Sequence, residues 1–338
     1  MALVAYRETL TINVVKVGLV QCCLVIACTS CTSSAGGSRS GPSCSGLAAT
    51  CGPAGVSSCC DSAVVPGGSF FRSEDPSTAS LFDPATVSDF RFDTYEVTVG
   101  RFRRFVSAGL GTQASPPSEG AGARPLNGVP GQAGWDPAWD TNLAADGDAL
   151  VAALKCNATH QAWTDTPGAN ESLPMNCITW YEAMAFCAWD GGFLPTEAEW
   201  HYAAVGGDSQ RAYPWSDPAS SLAIDCSYAN YFDDAKYCAS PPIGRVNRVG
   251  SESPKGDSRW GQADLGGNVA EWALDRRSWV YMNPCNDCAQ LAPDVLPQRA
   301  ARGGRFDYAA LLLRGTHRSA ATDNSRNPGI GVRCARSP

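Results

Sequence analysis

The chain has 338 residues, 44% of them hydrophobic, which is enough for one large domain or two small ones. Its formal net charge is -7, with 26 Lys and Arg against 33 Asp and Glu, and its basic residues are not clustered as phosphate binding requires. Nucleic acid is therefore excluded as an expected partner. The 16 cysteines are typical of an exported protein and unusual in a reducing cytoplasm.

The N-terminus has the pattern of an export signal. Arg7 and Lys16 precede an apolar stretch, residues 17–27, which is too short to span a bilayer as a permanent helix. Residues 1–27 are therefore predicted to be a signal peptide.

The apolar stretch ends in the run Val25-Ile-Ala-Cys28, which resembles a bacterial lipobox. Cys28 is then the expected lipidation site, and the alternative is a plain secretory signal cut elsewhere. The prediction is an exported lipoprotein of the bacterial cell envelope that touches the membrane only through its N-terminal lipid.

Residues 28–63 are rich in Ser, Gly, Ala and Cys and hold few large apolar side chains, so they are predicted to be a tether. Four cysteines in this segment could form a small knot with two disulfides, whose connectivity the sequence leaves open. A zinc site is the competing interpretation, but the spacing lacks two CxxC pairs and no histidine is near. The four cysteines are Cys44, Cys51, Cys59 and Cys60.

Residues 64–338 are predicted to form the globular domain. Phe90 to Val99 alternates apolar and polar residues as a half-buried strand does, and a helix is expected from Val99 to Val106. Residues 107–173 are rich in Gly, Ala and Pro, which predicts a long irregular excursion with one helix, near Ala149 to Lys155.

Two further helices are predicted in the middle of the chain. Ile178 to Trp189 has apolar residues at helical spacing, and Thr196 with Glu199 forms the Thr-x-x-Glu pattern of a capping box. No internal repeat and no second domain boundary follows Val64. Helices and short strands mixed with many Gly, Pro and Trp predict an irregular α+β domain with little regular secondary structure.

Four runs in the second half of the chain occur in an order that identifies a family. Together they resemble the sulfatase-modifying-factor domain of the formylglycine-generating enzymes. The resemblance covers residues 64–338 and implies that family's single irregular α+β domain, which is distantly similar to C-type lectins. The runs are Leu194–Trp200, Asp264–Trp272, Arg302–Phe306 and Gly331–Ala335.

Members of this family that oxidise a substrate cysteine bind copper(I) through two cysteines between the Arg-Gly-Gly run and the terminal run. In this chain the interval from Phe306 to Arg333 contains no cysteine. The resemblance therefore implies neither a copper site nor a catalytic residue here. Four residues would line the corresponding cleft and give it a polar, partly cationic surface suited to an anionic or polar ligand. These are Arg305, Tyr308, Arg314 and His317.

The resemblance also implies a structural calcium ion. Carried over by position, the ligands are the side chains of Asp264 and Glu271 and the backbone of Gly267 and Val269. A glycine-rich loop with two carboxylates offers the hard oxygen ligands that calcium takes. The alternative is that Glu271 only caps or pairs within the loop.

Cysteines elsewhere are interpreted as structural. The resemblance implies a disulfide between Cys187 and Cys334 that ties the C-terminus to the core. Cys285 and Cys288 form a CxxC pair that could be a redox dithiol if it opened a helix, but no long helix follows it, which favours a loop disulfide.

The functional prediction is an exported lipoprotein with a formylglycine-generating-enzyme-like domain that lacks the copper thiols. Such a domain would act as a binding or structural module at the cell envelope, with an unidentified protein or polar ligand as its partner. The alternative is a divergent oxidase of the same family that acts on a protein substrate. Fold alone does not decide between them.

Overall fold

The computed structural model describes five stretches of the chain. The predicted signal peptide and Cys28 lie outside them, and no helix within them is long and apolar enough to cross a membrane. The described stretches are residues 41–75, 80–124, 134–240, 242–292 and 297–338.

The described part of the predicted tether, residues 41–63, packs against the domain. Two disulfides, Cys44–Cys60 and Cys51–Cys59, close it into a small knot. The buried Ser43 donates its backbone N–H to Asp190. The compact unit therefore includes this knot. It begins before residue 64, the position at which the sequence analysis placed the start of the globular domain.

Within the described stretches, four α-helices form where the sequence predicts them. Both central helices begin with a reciprocal capping box, Thr179 with Glu182 and Thr196 with Glu199, which satisfies the first free amides of each helix. The same described residues contain five short 3-10 helices, at Pro42–Cys44, Pro137–Asn142, Ala169–Ser172, Gly207–Ser209 and Ala310–Leu313. The α-helices are α1 (Val99–Ser107), α2 (Gly147–Ala153), α3 (Trp180–Trp189) and α4 (Glu197–Ala204).

Twelve short strands in the described residues form four small sheets. The sheet orders are β1-β4-β12, β10-β9-β7-β11, β2-β3-β8 and β5-β6. The strands are β1 (Ser62–Val65), β2 (Gly68–Asp75), β3 (Ser80–Val87), β4 (Phe90–Asp93), β5 (Phe232–Asp233), β6 (Lys236–Tyr237), β7 (Ala270–Arg276), β8 (Cys285–Asn286), β9 (Gln298–Arg302), β10 (Ser319–Thr322), β11 (Ile330–Gly331) and β12 (Ala335–Arg336).

Strand β4 is shorter than the alternating pattern predicts. Val97 and Val99 are fully buried, so the pattern does report burial, but the paired strand ends at Asp93. The Asp93 carboxylate there binds the buried Arg101 and Arg336. The chain turns at this ion cluster instead of continuing the sheet.

Strand β7 is a central strand of the four-stranded sheet. Its first six residues are buried, and it pairs with β9 on one side and β11 on the other. The glycine-rich loop that ends in Glu271 leads into its N-terminal end. The segment from Arg277 to Met282 leaves its C-terminal end. Glu271 and Asp275 of this strand each belong to a buried polar cluster, the first with Arg333 and the second with Glu197.

Candidate functional site

The loop before β7 contains three residues in the left-handed region of backbone conformation, which favours glycine. Asp264, Gly267 and Asn268 all have positive φ values, and a Cβ atom on Gly267 would lie 2.5 Å from the backbone oxygen of Asn230. Glycine is therefore required at position 267 for close packing as well as for its φ of 98°. A hydrogen bond stabilises this backbone conformation, because Asn268 donates its backbone N–H to that same Asn230 oxygen.

Glu271 at the end of this loop is fully buried and already has three N–H donors. Arg333 donates from Nη2 at 2.8 Å and from Nε at 3.1 Å, and Trp200 Nε1 donates at 2.7 Å. Glu271 therefore pairs with Arg333 of the terminal run, which lies outside the loop, whereas the alternative in the sequence analysis was capping or pairing within the loop. A calcium ion at Glu271 would have to share both oxygens with a cation.

Asp264 faces a different set of groups. Its carboxylate accepts the backbone N–H of Gly250 at 2.6 Å, and burial together with the charge of Glu252 raises the pKa of Asp264 to about 8. Burial also raises the pKa of Glu96 well above its ordinary value. Among the described residues, no three His, Cys, Asp or Glu side chains are arranged to hold a metal ion. That count does not test the calcium site predicted from the sequence, which has two such side chains and two backbone oxygens, but the hydrogen bonds of Glu271 and Asp264 disfavour it.

Three of the four residues predicted to line a cleft lie together. The guanidinium of Arg305 lies 4.4 Å from the centre of the Tyr308 ring, and the rings of Tyr308 and His317 are 6.3 Å apart. The side chain of Arg314 lies beside Tyr213. Arg305 forms a two-point ion pair with Asp307, so its own positive charge, predicted to make this surface cationic, is neutralised.

Every cysteine of the described residues is in a disulfide. Cys187 and Cys334 are joined, as the resemblance implied, and Cys285 is joined to Cys288. The cysteine-free interval from Phe306 to Arg333 folds into a 3-10 helix, strands β10 and β11 and connecting loops. The described part of the chain therefore presents no thiolate to a metal ion. The remaining bridges are Cys44–Cys60, Cys51–Cys59, Cys156–Cys177 and Cys226–Cys238.

A second polar cluster was missed by the sequence analysis. Its centre is Glu197, which is buried at the start of α4 and accepts from Arg302 at 2.9 Å and from Arg318 at 2.6 Å. Arg302 also donates to the hydroxyl of Tyr281 at 2.9 Å. His201 lies next to this cluster, and burial and the nearby arginines lower its pKa well below its ordinary value, so the imidazole is neutral.

An open cleft of about 440 Å³ lies above this cluster. Three arginines line it, Arg72, Arg277 and Arg318, together with Trp279 and Tyr281. We call it the guanidinium cleft.

A local sequence signal for this cleft does exist, because the run Arg276-Arg-Ser-Trp-Val-Tyr281 interleaves arginine with aromatic residues after a buried strand. The other two arginines of the cleft, Arg72 and Arg318, come from distant segments.

Comparison with known proteins finds a family that matches most of the chain. The family profile described as "Sulfatase-modifying factor enzyme 1-like domain" matches residues 48–338. The chain is 30% identical over 213 residues to the formylglycine-generating enzyme of Streptomyces coelicolor, covering 57% of this chain and 65% of that enzyme. It is 31% identical over 175 residues to the inactive C-alpha-formylglycine-generating enzyme 2 of Bos taurus, covering 50% of this chain and 52% of that protein. The chain thus spans less than two thirds of the length of each.

The fold has relatives among solved structures. The structure of PvdO from Pseudomonas aeruginosa matches with a TM-score of 0.54 at 20% sequence identity, covering 82% of this chain and 94% of that one. At this identity the likeness concerns the fold alone, and it agrees with the predicted α+β class.

Proposed function

Because the chain belongs to the sulfatase-modifying factor enzyme 1-like family, we propose that its domain is a non-catalytic member that works as a binding module. One observation carries the proposal: the interval from Phe306 to Arg333, where the oxidising members of the family keep two copper-binding cysteines, holds none. Thiolates are the soft ligands that select copper(I). The similarity to a protein named as inactive shows that relatives without activity exist.

The test is an activity assay on the full chain. The protein is incubated with a sulfatase-type cysteine peptide, copper and oxygen, and the peptide is analysed by mass spectrometry beside an active formylglycine-generating enzyme. We expect the peptide thiol to remain intact. Copper-dependent conversion at catalytic turnover, abolished by a chelator, would contradict the proposal.

The second candidate is a divergent oxidase of the same family, favoured by the 30% identity to the Streptomyces coelicolor enzyme. The CxxC pair Cys285–Cys288 is the thiol source that such an enzyme would use. It forms a disulfide close to Arg72, whose Nη1 lies 3.7 Å from Cys288 Sγ. If the assay detects turnover, the Cys285→Ser/Cys288→Ser double variant tells whether that pair is needed.

We further propose that the protein is exported and held at the cell envelope by a lipid on Cys28. The support is the lipobox-like run that ends at this cysteine and the disulfide-rich domain that follows. Fractionation of cells that express the wild type and Cys28→Ala tests this. The substituted protein should move from the membrane fraction to the soluble fraction, and an unchanged membrane fraction would contradict the proposal.

A further inference from the structure

We propose that the guanidinium cleft binds a ring-bearing oxyanion, that is, a phosphate or sulfate monoester of an aromatic ring. The arginines would hold the oxyanion, and the ring would stack on Trp279. This inference rests on the proposal that the domain is a binding module, and it names the class of ligand. It uses residues outside the surface that the family resemblance pointed to.

Arg277 carries the strongest evidence for an anion. Its side chain forms no salt bridge or hydrogen bond with the described residues, and its Nη1 atom is buried without a partner. Burial and the nearby positive charge of Arg318 lower the pKa of Arg277, which means that its charged form is destabilised where it lies. A buried guanidinium N–H without an acceptor costs free energy. An oxyanion in the cleft would supply that acceptor.

The other two arginines are held in place and still have free N–H groups. Arg318 donates Nε and Nη2 to Glu197 and Nη1 to the backbone oxygen of Ser278, so two of its five N–H groups remain. Arg72 is buried and donates to the backbone oxygens of Asp83 and Met282. Donors fixed in this way lose little side-chain entropy when they bind a ligand.

Positive charge exceeds negative charge around the cleft. Glu197 compensates both Arg302 and Arg318 with a single carboxylate, and it is the acidic partner that they share. Asp83 also lines the cleft, where its carboxylate accepts the hydroxyl of Ser73. Arg277 is left without a carboxylate. Arginine prefers tetrahedral oxyanions and carboxylates because its fork of N–H groups matches their geometry.

The aromatic side of the cleft indicates that the oxyanion is attached to a ring. The side chain of Trp279 is 70% exposed, although indole is a large apolar surface, and the guanidinium of Arg277 lies 4.1 Å from the centre of a Trp279 ring. Val280, which also lines the cleft, is 75% exposed. A ring stacked on Trp279 would remove this surface from water. The volume of about 440 Å³ is within the range of small-molecule sites.

Isothermal titration calorimetry on the full chain tests the inference with four probes: phenyl phosphate, phenyl sulfate, inorganic phosphate and phenol. We expect one of the two esters to bind at least tenfold more tightly than inorganic phosphate, and phenol to give no binding. The better ester tells whether the oxyanion is a phosphate or a sulfate. No binding of either ester would overturn the inference.

Two variants and a control locate the binding. Arg277→Gln should weaken the preferred ester at least tenfold, and Trp279→Ala should weaken the ester more than inorganic phosphate. The matched control is Arg259→Gln, because Arg259 also lies over a tryptophan, Trp260, but outside this cleft. Unchanged affinity in Arg277→Gln, or an equal loss in Arg259→Gln, would overturn the assignment to this cleft.

The two proposals fail in different ways. Copper-dependent oxidation of the peptide cysteine contradicts the proposed function, whatever the ester titrations show. A protein that neither oxidises the peptide nor binds the esters leaves the module proposal standing and removes this inference.

Discussion

Arg333 and Glu271 form a fully buried ion pair, in which Arg333 Nη2 lies 2.8 Å and Nε 3.1 Å from Glu271 Oε1. The two residues belong to two of the runs that identify the family, the glycine-rich loop and the terminal run. Arg333 also donates to the backbone oxygens of Asp93, Thr94 and Ala263. One guanidinium therefore ties the end of the chain to the loop before β7 and to the end of β4.

We expect Arg333→Met to destabilise the domain by about 3 to 5 kcal/mol, because removing one partner leaves the other charge buried and unpaired. Urea unfolding at neutral pH measures the change. The matched control is Arg305→Met, which breaks an ion pair with the partly exposed Asp307 and should cost less than about 1 kcal/mol. Similar losses in the two variants would contradict the central role of the buried pair.

The disulfide between Cys187 and Cys334 should contribute much more stability than the one between Cys285 and Cys288. The first closes a separation of 147 residues and the second a separation of 3. In the chain-entropy model these loops correspond to about 5 and about 2 kcal/mol. Unfolding of the two double alanine variants under oxidising conditions compares them. An equal loss in the two would show that loop closure does not govern the stability.

Much of the fold could be predicted because local chemistry determines it. The capping box of Thr196 and Glu199 and the apolar spacing of Ile178 to Trp189 each lead to a helix at the predicted place. The length of β4 could not be predicted, since Arg336, which binds the carboxylate at its end, is more than 240 residues away in the chain. The described part of the tether packs against the domain, which was not predicted either. The reason is again a contact that is distant in the sequence, because Ser43 donates its backbone N–H to Asp190.

The candidate site was harder to predict than the fold. The family motifs pointed to Glu271 as a calcium ligand, but they did not show that Arg333 donates to its carboxylate. Arg305 was predicted to make a surface cationic, and its neighbour Asp307 neutralises it. The run Arg276 to Tyr281 is a local signal for the guanidinium cleft, but Arg72 is far from Arg277 in the sequence, so only the folded chain shows that the two arginines share a cleft. The likeness to C-type lectins stays a prediction.

Asp275 should make stability depend on pH. Its carboxylate accepts the backbone N–H of Glu197 at 2.7 Å and of Gln290 at 2.8 Å, and burial together with the charge of Glu197 raises its pKa to about 7. Between the unfolded pKa of 3.8 and the folded pKa of about 7, Asp275 is therefore protonated in the folded state and ionised in the unfolded state. This stabilisation is complete below the unfolded pKa and is lost as the pH rises through about 7.

Urea unfolding of the wild type and Asp275→Asn at pH 5 and pH 8 measures this effect. The wild type should lose stability over this interval by up to about 1.4 kcal/mol per pH unit from this group, and the variant should lose less. Asp165→Asn is the control, because Asp165 is exposed and pairs only with Lys155. An identical pH dependence in the wild type and Asp275→Asn would show that Asp275 does not carry the proton.

Calcium should leave the melting temperature of the full chain unchanged relative to a chelator. Arg333 and Trp200 already donate to both oxygens of Glu271, and the Asp264 carboxylate binds the backbone of Gly250. An ion at this loop would have to displace or share these hydrogen bonds. The measurement is a thermal melt in millimolar calcium and in chelator, with magnesium as a control for a general effect of divalent ions.

A higher melting temperature in calcium would restore the ligand set predicted from the sequence, Asp264, Gly267, Val269 and Glu271. Calcium at about one hundred times its Kd would stabilise the folded state by about 2.7 kcal/mol, a change that a melt detects. Asp264→Asn then separates two explanations. If it abolishes the shift, the ion lies at this loop and shares Glu271 with Arg333, and if the shift persists, the ion binds elsewhere on the protein.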